Sequence, residues 1–185
     1  YDQHFHGHPP LAIGLQAIFF RIFGDSIHVE HFYSLILFIA SNFTLFKIWE
    51  ELVHNSYKKL YWIPLLLHSI IGVVGWAMAN NMLENTMTLF VLLAFYFSLL
   101  SLKQKKWSAK IIISLIAGIT IFMAFLTKGF VGLFPLSGIF IMSIFDRKVT
   151  IKTGVILSVT MLGGLLFPFA FLYLFVPEAI DSLNN

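Results

Sequence analysis

The sequence predicts an all-α fold: a polytopic transmembrane helical bundle with an interfacial helix on its outer face. Three observations carry this reading. Hydrophobic residues make up 58% of the 185 and charged residues only 11%, whereas a soluble domain carries about 25% charged residues. A water-facing surface cannot be covered with so few, and the mean hydropathy of +0.86 agrees. Apolar runs near the roughly 20 residues that cross a bilayer core as a helix recur between short polar breaks. No alternation with a period of two is sustained, which argues against a membrane β-barrel.

The first element is HPPLAIGLQAIFFRIFG. Proline is favoured in the first helical turn, where its missing N–H has no partner to lose and its φ is preset. A helix is therefore expected over 9–24, started by Pro9 and Pro10 and ended by Gly24. It is too short to span, and it carries Gln16 and Arg21, so an interfacial position on the outer leaflet fits it. The spans follow at 28–52, 60–79, 83–101, 109–126, 130–145 and 152–176, five to six crossings within 28–176. The short break TKG at 127–129 makes 109–145 a tight helical hairpin, with one long broken helix as the alternative. Pro64, Pro135 and Pro168 fall inside or near helix ends, where neighbouring helices re-satisfy the freed carbonyls. The chain 1–185 thus reads as a single transmembrane domain.

The charges test this count independently. The connections 53–59, 102–110 and 146–152 hold Lys58, Lys59, Lys103, Lys105, Lys106, Lys110, Arg147, Lys148 and Lys152, and Lys47 leans the same way. Only Arg21 and Lys128 fall on the other side, so ten of the 12 basic residues share one face. Cytoplasmic loops carry such an excess, and an error of one helix would scramble it. The net charge of +3 therefore reflects membrane orientation and not a nucleic-acid partner. The outer face gathers Asp2, Asp25, Glu30, Glu84, Glu178 and Asp181, with His4, His6, His8, His28 and His31. Chemistry is expected there. With no cysteine, disulfides and thiolate sites are excluded and the redox compartment is unreadable. The chain opens on Tyr, shows no signal peptide, and reads as a piece of a longer polypeptide.

Four features on that face can carry function. Lys128 sits in FLTKGFVGLFPL, against the charge trend, where the next helix start would add N–H groups beside its ammonium. A lysine at a helix N-terminus makes a phosphate site; a lysine that merely snorkels to the surface is the plainer alternative. Glu84, in ANNMLENTMTLF, is either a carboxylate complementing a helix dipole or a site acid, and Asn80, Asn81 and Asn85 surround it with amides suited to a sugar or phosphate. Arg21 is a second candidate phosphate contact, or simply the polar face of its helix. The alternating His4, His6 and His8 point to one side of an extended segment, where His4 and His6 in particular are candidates to hold a divalent metal. Such histidines are more often a plain polar cluster. His68, near the middle of a span, is expected to be a satisfied interhelical hydrogen bonder.

Together these motifs resemble the polytopic GT-C glycosyltransferases, which include the protein O-mannosyltransferases, with an HPPL motif, and the lipid A aminoarabinose transferases, with KPPL. HPPLAIGLQAIFFRIFGDSIHVEHFYS resembles the family's juxtamembrane helix and the span after it. NNMLENTMTLFVLLAFY is similar to a later span with an acid at its outer start, and FLTKGFVGLFPL to the family's TKG segment. The resemblance covers most of residues 1–145. It implies a membrane glycosyltransferase moving a sugar from a polyprenyl-phosphate or polyprenyl-diphosphate donor to an acceptor on the periplasmic or lumenal face, most simply of a bacterial inner membrane. It also implies Lys128 and Arg21 as candidate phosphate contacts, His8 as the histidine of HPPL, Glu84 as a site carboxylate, and divalent-metal assistance in some members. The family's acidic motif normally precedes HPPL; Asp2 is the nearest acid, a second candidate catalytic group, and Gly7 stands where many relatives have a carboxylate. The chain therefore resembles part of a larger GT-C module and is expected to be inactive by itself.

A transporter or flippase of lipid-linked or anionic cargo would use the same Glu84 and Lys128 as a path. Inverted repeats, the usual sign of such proteins, are not found: PPL and TKG do not recur. A purely structural subunit would tolerate replacement of both residues.

Overall fold

The computed structural model describes residues 9–145 and 149–175, nearly all of them helical and none in a strand. Helix α1 spans Leu11–Phe23 and α2 Ile27–Leu52. A 3-10 stretch, Asn55–Tyr61, leads into α3 (Trp62–Ile70) and α4 (Gly72–Ala79). Then come α5 (Leu83–Lys103) and α6 (Trp107–Lys128), a second 3-10 stretch Gly129–Ser137, α7 (Gly138–Phe145) and α8 (Ile151–Phe175). Four helical stretches are long and apolar enough to cross a membrane, five when the bent pair around Ile71 counts as one.

Local chemistry explains most boundaries. Gly24 ends α1 at φ 89°, a conformation glycine adopts freely. Ser26 begins α2 by accepting a hydrogen bond from the Val29 amide. Pro64 falls in the first turn of α3, where its missing N–H costs nothing.

Two expected spans differ in detail. The run 60–79 is not one helix: Ile71 is extended (ψ 117°), and the segments on either side are bent by 61°. The sequence there, SIIGVVG, combines β-branched residues with two glycines, all poor helix formers, so little local preference opposes the break. The stretch 130–145 is α-helical only from Gly138. Before that the chain doubles back at Gly129 (φ 67°) as a 3-10 segment, because Gly132 lies directly on the backbone of Ala124 and Phe125 in α6.

The helices alternate in direction. Tyr33 meets Thr86 at one end and Glu51 meets Lys103 at the other, so α2 and α5 run parallel. Helix α6 returns antiparallel to α5 and brings Lys128 to Glu84. Helix α8 runs parallel to α6, with Gly118 on Met161 and Leu165, and Phe122 on Phe169. The core lies between α5, α6, α7 and α8, where Ala94, Ala117, Ile121, Ile139, Leu157 and Met161 are wholly buried. Close approaches occur where glycine stands between helices: 118 and 164 between α6 and α8, 154 against Ser143 of α7. This is how membrane helices gain packing without a hydrophobic driving force between them. Apolar side chains cover the outside instead, with Phe130 and Phe145 more than four-fifths exposed.

Candidate active site

The site lies at the end of the bundle opposite the lysine-bearing turns 55–61 and 103–110. Helix α5 begins at Leu83, which puts Glu84 in its first turn; α6 ends at Lys128. The antiparallel register of the two helices aligns these ends, and the Lys128 ammonium donates to Glu84 Oε1 across 44 positions of sequence. The side chains are 27% and 34% exposed, so the pair is sheltered yet reachable from outside.

Hydrogen bonds fix the surroundings. Asn81, in the turn between α4 and α5, takes a left-handed conformation (φ 45°) that asparagine tolerates. Its side-chain oxygen accepts from Ser34 Oγ of α2 at 2.9 Å. One turn away, Tyr33 and Thr86 share a hydrogen bond of 2.9 Å, also between α2 and α5. Asn85 is buried and donates to the Ala77 carbonyl at 2.8 Å, locking α4 against α5. Of the amides expected to meet a ligand, then, Asn85 and the oxygen of Asn81 are engaged in holding helices together.

Helix α1 lies over this end. Leu11 and Leu15 pack on a cluster of Phe90, Val91 and Ala124, with Met87 and Met123, one to two turns from Glu84 and Lys128. Phe19 and Phe23 sit against Phe32, and Phe19 also against Tyr33, of α2. The diproline start of α1 therefore lies on the side of the ion pair. Arg21, ten residues or about 15 Å along the helix from Leu11, is exposed in the last turn and enters no ion pair with a described residue.

The structure thus brings Glu84 and Lys128 together, places Asn81 next to them in the same end, and leaves Arg21 apart. Asp2, His4, His6 and His8 lie outside the described residues. Among the described residues no three acids or histidines gather closely enough to hold a metal ion. The helix start expected beside Lys128 is a 3-10 stretch, and the ammonium turns to Glu84 instead. His68 also departs from expectation. Its ring stacks on Phe38 at 5.7 Å and its Nδ1 is buried without a hydrogen-bond partner among the described residues. The polar clamp Tyr33–Thr86 and Ser34–Asn81 escaped sequence reading. Its signal was there, in polar residues at the start of two apolar spans, where side chains tend to bond across helices.

The comparisons with known proteins bear on these same segments. The sequence model of the dolichyl-phosphate-mannose-protein mannosyltransferase family matches residues 7–174, from before the diproline through α8. The chain belongs to that family. It is a membrane glycosyltransferase of the mannosyltransferase type and a multi-pass integral membrane protein. No curated protein and no solved structure matches it.

Proposed function

We propose that this protein transfers a sugar, mannose in the first instance, from a polyprenyl-phosphate carrier to an acceptor hydroxyl. The reaction would take place on the periplasmic or lumenal face, for a bacterial chain that of the inner membrane. The single observation that carries this reading is the ion pair between Lys128 and Glu84, one basic and one acidic group held at the end facing away from the lysine-rich turns.

The pair supplies both halves of a glycosyl transfer. The acceptor oxygen attacks the anomeric carbon as the bond from that carbon to the phosphate oxygen breaks. The carrier leaves as a phosphate with one more negative charge, which the Lys128 ammonium stabilises where it develops. A phosphate at Lys128 competes for the ammonium and frees the Glu84 carboxylate, which takes the proton of the acceptor hydroxyl as general base. Each group restrains the other until substrate arrives. Asp2 and Arg21 are further candidates for the base and for the phosphate contact, with His8 as the histidine of HPPL and His4 and His6 as candidate ligands for a divalent metal.

The test is transfer of mannose from dolichyl-phosphate-mannose by the purified full-length protein in vesicles. Lys128→Ala and Glu84→Gln are each expected to lower kcat/KM by about 100-fold or more, the cost of removing one preorganised group from a transition state. Lys110→Ala, at the opposite end, is expected to leave it unchanged. Full activity in Lys128→Ala would overturn the assignment. Carrier flux without any glycosyl product would identify a flippase instead.

A further inference from the structure

The break between α3 and α4 opens a cavity of about 250 Å³ beside the ion pair. Its wall holds Glu84 at one end, Thr88 one turn further along α5, His68 from α3, and Trp76 from α4. The space would hold about eight waters at roughly 30 Å³ each, which is room for one pyranose ring. Thr88 makes no side-chain hydrogen bond to a described residue, and Glu84 lines the cavity while paired to Lys128. The buried Nδ1 of His68 has no partner among the described residues, the stack on Phe38 holds the ring, and His68 lines the cavity.

We propose that this cavity receives the donor's monosaccharide, with His68 and Thr88 as positioning residues for its hydroxyls. The inference rests on the reading of Lys128 as the phosphate holder. An isoprenoid occupant would leave an imidazole and a hydroxyl unpartnered in an apolar wall, which is costly. A sugar satisfies both, and its C–H face suits the indole of Trp76. Continuity supports the choice. Glu84 belongs to the cavity and to the ion pair, so a phosphate at Lys128 places the attached anomeric carbon at the cavity mouth, within reach of the carboxylate. The neighbouring cavity across α4, lined by His31, Ser34 and Phe38, touches neither charge.

The experiment compares two probes on the full-length protein in vesicles: KM for dolichyl-phosphate-mannose and the inhibition constant of dolichyl phosphate, which lacks the sugar. His68→Leu and Thr88→Val should each raise KM about 10-fold, the worth of one hydrogen bond, and leave the inhibition constant of dolichyl phosphate unchanged. His68→Gln, which keeps a side-chain N–H, should recover most of the loss. Equal weakening of both probes by His68→Leu, or no effect on either, overturns the proposal. A Lys128→Ala protein inhibited by dolichyl phosphate as strongly as wild type would instead sink the phosphate reading on which it rests.

Discussion

Lys128 and Glu84 are each conspicuous in the sequence, one as a lysine against the charge trend and the other as an acid at the mouth of a span. Their pairing is not, because it depends on the register of α5 against α6 over 44 residues. The pairing has a cost when broken. Removing one partner strands the other in a sheltered place, whereas removing both charges together strands neither. Glu84→Gln and Lys128→Gln should therefore each lower stability by about 1 kcal/mol, a value kept small by the pair's partial exposure. The double variant should unfold closer to wild type in a thermal melt, while staying inactive. A double variant as unstable as the sum of the singles would show that the pair contributes no coupling. His68 shows the opposite limit of sequence reading. Its place near the middle of a span marks it as notable, but only packing reveals that Phe38 stacks on its ring and that no described residue accepts or donates at Nδ1.

Among the elements, helix existence was legible because apolar run length and proline or glycine punctuation act locally. Helix α1 keeps close to its expected 9–24 bounds, and α2, α5, α6 and α8 start and stop within two residues of expectation over the described range. What could not be read was the backbone between helices. The bend at Ile71 and the 3-10 stretch after Gly129 answer to neighbours distant in sequence, and run length says nothing about them. Glycine positions make this testable. A Cβ at Gly132 would come within 2.5 Å of the Ala124 backbone, with no flexible side chain to yield. Gly132→Ala should cost roughly 1–3 kcal/mol through overpacking and displace the return segment from α6. Gly14→Ala, in α1 with nothing within 4 Å of the new methyl, should be neutral or stabilise by about 0.5–1 kcal/mol. Thermal unfolding in detergent reads both, and equal melting temperatures for the two variants would contradict the close approach.

For the whole molecule, the uneven distribution of lysines and the alternation of helix directions give one arrangement: the turns at 55–61 and 103–110 at one end, and the starts of α2 and α5 with the finish of α6 at the other. The chain has no cysteine, so a single introduced one reports its own side. Cysteines at Asn55 and Gln104 should react with an impermeant maleimide only once the cytoplasmic face is opened. Cysteines at Asp25 and Asn80 should react from outside. Labelling of all four from one side would break the topology and with it the shared location of the site groups.

Direct binding of dolichyl phosphate to the reconstituted protein, followed by titration in vesicles of fixed composition, presses hardest on the Lys128 ammonium as the holder of the lipid phosphate. Lys128→Ala should bind at least 10-fold more weakly than wild type while Lys110→Ala binds equally well. Undiminished affinity in Lys128→Ala would mean the phosphate is held elsewhere, and the site drawn around Glu84 and Lys128 would have to be abandoned.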